Sequence, residues 1–489
     1  MPEQSLKQKT YTGFFWSFVE RFMVQSIQIV MGIVLARLLF PSDYGLIGLM
    51  AIFIVLTGIF VESGLSNALV QKQNRTEEDF STVFYFNIIV CIVIYSLIYI
   101  AAPFISAFYD TPVLTKVMRV YFLSLIINAF TIVQSTKLRI ALEFKKKAIC
   151  NLLALVISGG VGVWMAYSGY GVWSLVMQAI TNSLVSVIVL TILVRWKPLL
   201  IFSRKSFQQL FGYGSKLLGA LLIDAILDNL YTVSLGRYYS EKQVGYYTRG
   251  LQLPTLIAGT LSSMLENVTF PVLSSIQNDK EFLIAIYRRL IRMVSFLIIP
   301  AMVGLAFISE SFVRYFLTEK WMPIVVLMQW MCFTRIFTPV NLLNASLLNA
   351  IGRSDLFLKM NLIRFPIIIT ILLITIPKGL EAVVIGHFIM SLIGFLINSF
   401  MPGKIFGYGA IAQIKDLLPA MISSVIMLLV LILSTSCIEH DLIKMIVSVI
   451  VGIASYLIAS YILKTGEIKE IYSLIINNYK KQINRTKNN

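Results

Sequence analysis

Asp224 and Asp228 stand four residues apart in the apolar run LLIDAILDNL, so a helix there places both carboxylates on one face. Such a pair can carry a proton or a sodium ion, or it can neutralise nearby cations. Lys216 lies two turns earlier in the same run, and Arg335, Arg364 and His387 each interrupt a later one. The first apolar run holds Glu20 and Arg21, then Gln25 and Gln28, which share a helical face. An ionisable group in hydrocarbon costs roughly 2.5–3.5 kcal/mol or more and therefore faces a cavity or a partner. Lys216, Arg335 and Arg364, with Arg21, Gln25 and Gln28, are the side chains expected to meet an anionic head group such as a phosphate or an acidic sugar. A plainer reading stands beside each. Glu20 and Arg21 are close enough to a span end to snorkel, and His387 reads better as a packed polar residue than as a proton relay. Glu62 and Glu266 sit at helix ends and read as structural.

The elements that carry these residues are membrane spans. The 489-residue chain is 57% hydrophobic and 13% charged, with a mean hydropathy of +0.82. A soluble domain carries about 25% charged residues. The net charge of +17 would suit nucleic acid, but the cations cluster at the ends of apolar runs, where they set membrane orientation, so no nucleic-acid partner is expected. The four cysteines are scattered within or beside apolar runs and read as small core residues, not bridges. Two histidines in the whole chain leave no basis for a metal cluster, and there is no glycine-rich loop of Walker type. No cofactor is expected beyond a coupling ion. The first run lacks a small-residue cleavage site and reads as an uncleaved span.

A spanning helix needs about 20 mostly apolar residues. Fourteen runs qualify: 13–37, 43–65, 83–105, 115–136, 149–167, 172–194, 210–235, 244–272, 286–308, 323–349, 358–377, 380–401, 417–435 and 443–463. An even number puts both termini on one side. The Lys/Arg excess falls on the terminal segments and on loops such as KLRIALEFKKK (137–147) and RWKPLLIFSRK (195–205), which places both termini in the cytoplasm. The tail KKQINRTKNN (480–489) reads as a basic end near anionic lipid.

One connector is written twice. RLLFPSDYG (37–45) and RYYSEKQVG (237–245) share Arg and Gly at the same spacing, with Leu35 answering Leu235. ESGLSNALVQKQN (62–74) then parallels ENVTFPVLSSIQN (266–278), FIS recurs at 104–106 and 307–309, and GVWSLV (171–176) faces GLEAVV (379–384). Matches in one order with a drifting offset imply a parallel repeat of six spans. The expected organisation is an all-α polytopic protein: a six-helix bundle over 1–208, its repeat over 209–403, two further spans over 404–464, and a cytoplasmic tail over 465–489. Two related bundles would enclose a wet, cationic chamber that rocking exposes to alternate faces.

The stretches LARLLFPSDYGLIGLMAIF (35–53), GYGVWSLVMQ (169–178) and LLNAIGRSDLFLK (347–359) together resemble the Wzx-type polysaccharide flippases, in the WzxC and teichuronic acid exporter branch of the MOP superfamily. That superfamily also holds the MATE exporters and a lipid II flippase. Tyr44 replaces the family's usual Phe, and Ser174 its usual Ala. The resemblance covers essentially the whole chain. It implies a MOP-type fold in the bacterial inner membrane. It also implies outward transport of an undecaprenyl-pyrophosphate-linked oligosaccharide, with membrane lipids and polysaccharide polymerase or assembly proteins as further partners. It carries no residue-level substrate motif onto this chain.

The same motifs have local readings. In FPSDYG a turn ends one helix and Asp43 caps the next; in NAIGRSD, Gly352 ends a helix and Ser354 or Asp355 caps its successor. GYG (169–171) is a tight turn, with Trp173 at interface depth. Two other functions compete with the flippase reading. A MATE-like small-molecule exporter usually needs twelve spans. A membrane-embedded glycosyl transferase or polymerase would need carboxylates on a sizeable external loop, and only scattered acids such as Asp110, Glu310 and Glu319 are present.

Overall fold

The computed structural model describes residues 22–62 and 64–468, and among them every regular element is helical. The order is α1 (Phe22–Leu38), α2 (Pro41–Leu49), α3 (Ala51–Glu62), α4 (Gly64–Gln71), α5 (Glu77–Phe108), α6 (Val113–Tyr121), α7 (Leu123–Ala129), α8 (Ile132–Ile140), α9 (Phe144–Tyr167) and α10 (Val172–Val194). Next come α11 (Arg204–Tyr238), α12 (Glu241–Ser275), α13 (Lys280–Phe312), α14 (Ile324–Ile336), α15 (Thr338–Ala350), α16 (Ser354–Thr375), α17 (Leu380–Phe406), α18 (Ala410–Thr435) and α19 (Asp441–Ile462). Ten helices among the described residues are long and apolar enough to cross a membrane, twelve if two bent pairs count as one span each. This is a multi-pass membrane protein, and the expected count of fourteen is not reached by that criterion. Polar breaks and Lys216, Asp224 and Asp228 lower the hydropathy of α11, while α1 is described only in part.

The helix boundaries around the two connectors correspond. α1 ends at Leu38 and α11 at Tyr238; α2 begins at Pro41 and α12 at Glu241. The Phe40 amide donates to Asp43 Oδ2 (2.9 Å), and the Ser240 amide donates to Gln243 Oε1 (3.2 Å). The same reach-back cap therefore starts both helices, 200 residues apart. Asp43 is thus three residues inside its helix and satisfies the amide before it, rather than standing at the cap itself. α4 ends at Gln71 and α12 at Ser275, with Leu69 and Leu273 both fully buried. Gly171 (φ 55°) and Gly379 (φ 104°) each precede a helix in a left-handed conformation that a side chain would strain.

The chain forms two compact units, Met1–Gly245 and Tyr246–Asn489. In the first, α9 pairs with α10, and α11 lies on α3 and α4. Thr76 and Asp79 form a capping box at the start of α5, where three acids complement the helix dipole. Glu77 there accepts from Lys137 (2.7 Å) and from the Trp196 indole (2.7 Å). The extended stretch after α10 is tied down by the Leu199 amide on Ser81 Oγ (2.9 Å) and the Ser203 amide on Thr82 Oγ1 (3.0 Å).

In the second unit α13 is the hub, touching α14, α15, α18 and α19. Leu283, Tyr287, Ile291, Val294, Ile298 and Met302 make one buried stripe along it. Its outer face carries apolar residues too, as Leu297 shows at 50% exposure, beside charged ones such as Arg288. Packing and polar contacts, not hydrophobicity alone, therefore choose the inward side. Ser423, Ser424 and Ser448 are buried where α18 and α19 pack closely. A polar knot joins α13, α15 and α18: Tyr287 hydroxyl donates to Asn344 Oδ1, Gln413 Nε2 donates to the same oxygen (2.9 Å), and Arg288 holds Asp416 in a two-pronged pair.

The NAIGRSD turn differs from expectation. Gly352 takes φ 75° at the end of α15, but the N-cap of α16 is Arg353, which makes no side-chain cap. Asp355 instead pairs with Arg353 (2.9 Å), and that guanidinium holds its carboxyl below the usual carboxylate range. A guanidinium two residues away offers this carboxylate a stronger partner than the helix amides.

Candidate functional site: a cationic cluster inside the second unit

Arg335 sits where a 27-residue apolar segment, Ile324–Ala350, breaks. Pro339 has no amide to give to the Arg335 carbonyl, so α14 ends and α15 restarts at Thr338. Ser391 Oγ of α17 donates to the Thr334 carbonyl beside the break (2.8 Å). The Arg335 cation thereby lies at a helix C-terminus, where the dipole favours positive charge.

His387 lies one turn before Ser391 on α17, half-buried, and shares a hydrogen bond between its Nδ1 and the Tyr247 hydroxyl of α12 (3.3 Å). The charges of both Arg335 and Arg364 act on it, and that of Arg335 acts on Tyr247. Arg364 of α16 reaches the Asn361 amide oxygen (3.4 Å) and lies over Gly394 of α17, where a Cβ would stand 3.5 Å from its Nε. Four helices thus hold the His387 imidazole and, within electrostatic reach of it, a phenol and two guanidiniums. The only acids in α14–α17 are Asp355, paired with Arg353, and Glu381 near the start of α17. Two guanidiniums so supplied suit an anion with several oxygens, and the phenol and imidazole suit hydroxyl groups.

The structure brings Arg335, Arg364 and His387 together. Reasoning from sequence missed Tyr247, Asn361 and Ser391; the one signal for Tyr247 was its place just after the repeated connector. The other binding and coupling candidates belong to the first unit. Glu20 and Arg21 lie outside the described residues. So do the side chains of Glu62, Lys216, Asp224 and Glu266, although all four sit on helices. Gln25 is half-buried, whereas Gln28 and Asp228 are exposed.

Each unit holds one further feature. Within the first unit the two connectors cross in direct contact. A Cβ on Gly45 would stand 1.7 Å from the Glu241 carbonyl oxygen, and one on Gly245 would stand 1.9 Å from that of Pro41. Arg237 beside this crossing donates to the Phe108 carbonyl and to Asp110 (both 2.9 Å), and Thr111 donates to Glu241 (3.2 Å). Within the second unit an apolar cavity of about 410 Å³ lies between α13 and the last two helices, lined by Phe296, Pro300, Met427, Leu431, Gly452 and Tyr456 among others.

Comparison with known proteins agrees with this architecture. A family described as polysaccharide biosynthesis protein matches residues 34–326, more than half of the chain. The lipopolysaccharide biosynthesis protein WzxC of Escherichia coli is 25% identical over 404 residues, 81% of each chain. The teichuronic acid biosynthesis protein TuaB of Bacillus subtilis is 22% identical over 357 residues, covering 72% of this chain and 73% of its own. Among solved structures, the lipid II flippase MurJ in an inward closed conformation superposes with a TM-score of 0.74 at 19% identity, over 93% of this chain and 98% of its own. The chain therefore belongs to the polysaccharide biosynthesis protein family.

Proposed function

We propose that this protein moves a lipid-linked oligosaccharide across the bacterial cytoplasmic membrane by alternating access, with both termini in the cytoplasm. The observation that carries the reading is the Arg335–Arg364–His387–Tyr247 cluster within a chain of this family. An anion-binding group set within apolar helices fits a pyrophosphate that must leave water to cross. The apolar cavity beside α18 and α19 suits the isoprenoid tail, which gains nothing from a polar route. Asp224 and Asp228 remain the proposed carriers of a coupling proton or sodium ion. Relatives that are biosynthesis and transport proteins support a carrier rather than an enzyme.

The test is deletion of the gene in its native cell, with the lipid-linked repeat unit assigned to a leaflet by its accessibility to an impermeant glycosidase. Accumulation on the cytoplasmic leaflet, relieved by the wild-type gene and not by the Arg335→Ala variant, is the expected result. Unchanged leaflet distribution on deletion refutes the proposal.

A further inference from the structure

A second cavity, of about 580 Å³, lies wholly inside the first unit. Its wall is the broken fourth span: α6 and α7 run to Ala129, and α8 restarts at Ile132 with a bend of 44°. Broken helices inside a membrane protein are tolerated where they line a cavity. The hydroxyls here are oriented by local bonds. Thr57 donates to the Phe53 carbonyl (2.8 Å), Ser124 to Tyr121 (2.7 Å), Thr131 to Asn128 (2.7 Å) and Thr136 to Ile132 (2.8 Å). Each proton is used on a carbonyl three or four residues earlier, so each oxygen keeps its lone pairs for the cavity. Ser66, 7% exposed, also lines it, and its Oγ has no hydrogen-bond partner. Arg139 and Lys147 add two cations to the lining, which holds no carboxylate among the described residues. Arg139 is oriented by the Ser66 carbonyl (3.4 Å).

We infer that this cavity binds a sugar phosphate: acceptor oxygens take the donor hydroxyls of a sugar ring, and Arg139 with Lys147 takes the adjoining phosphate. An apolar ligand would leave these oxygens unsatisfied, and a cation would meet two like charges. The inference rests on the transport reading for its biological ligand, but its residues are separate from the Arg335 cluster.

The experiment uses the full-length protein carrying Cys437→Ser and Ser135→Cys. Ser135 lines the cavity, and the other three native cysteines are buried. Maleimide labelling of residue 135 is timed with glucose, inorganic phosphate or glucose 1-phosphate present. Glucose 1-phosphate is expected to slow labelling about tenfold at roughly ten times its Kd, as mass action requires. Neither half alone should match it, and Arg139→Gln with Lys147→Gln should abolish the effect. Equal protection by inorganic phosphate overturns the sugar assignment. No protection by any probe overturns the site. Export by the labelled-site variant, measured separately in the deletion strain, keeps failure of the site distinct from failure of the transport reading.

Discussion

Gly45 and Glu241 touch backbone to backbone. A Cβ on the glycine would fall 1.7 Å from the Glu241 carbonyl oxygen, and the equivalent pair 200 residues on, Gly245 and Pro41, repeats the contact with a distance of 1.9 Å. The connector that recurs in the sequence recurs because its two copies must cross each other, and only glycine permits that approach. Gly45→Ala and Gly245→Ala should each destabilise the protein by about 1–3 kcal/mol, since backbone must move to make room. Gly160→Ala and Gly259→Ala meet nothing within 4 Å and are the controls. Thermal unfolding in detergent reads the difference; equal midpoints for all four variants would contradict the crossing.

Arg335→Ala should lower export about tenfold or more, the usual scale for losing a charge-assisted contact of ~1.5–3 kcal/mol. Arg335→Lys should restore part of it, because the charge returns without the two-pronged geometry. Surface-polymer yield in the deletion strain measures both, and full activity in the alanine variant would make Arg335 structural.

The knot of Tyr287, Asn344 and Gln413 is almost wholly buried, at 1%, 0% and 0% exposure. Gln413→Leu removes the donor to Asn344 and should cost about 1–3 kcal/mol, the penalty for leaving a buried polar partner unmade. Its readout is a lower unfolding midpoint together with faster protease cutting in the 407–409 turn that precedes α18. Loss of neither would show that apolar packing alone seats that helix.

Ser81 and Thr82 each accept from an amide of the stretch that links α10 to α11. The double variant Ser81→Ala, Thr82→Val should speed hydrogen exchange at Leu199 and Ser203 about tenfold, the effect of ~1.4 kcal/mol of lost local protection. Exchange elsewhere in α5 should hold steady, because its ladder does not depend on these hydroxyls.

Much of this was readable in residue order. Hydropathy marks spans because hydrocarbon tolerates no unpaired backbone and few charges, so membrane class follows from composition along the chain. The turns at FPSDYG and GYG are local events set by neighbouring residues. The repeat emerges from comparing such events. Arg335, Arg364 and His387 were recognisable singly, as costly groups in apolar runs. Their association with Tyr247 was not, because Tyr247 precedes His387 by 140 residues and meets it only across two packed helices. The bend that makes the Arg139 cavity was also hidden, since NAFTIVQST reads as one continuous span. In a bilayer the lipid-facing side of a helix is as apolar as its packed side. Sequence alone therefore determined that this is a multi-pass, all-helical membrane protein. Only the tertiary structure decided which faces meet, which cations converge and where two glycines must touch.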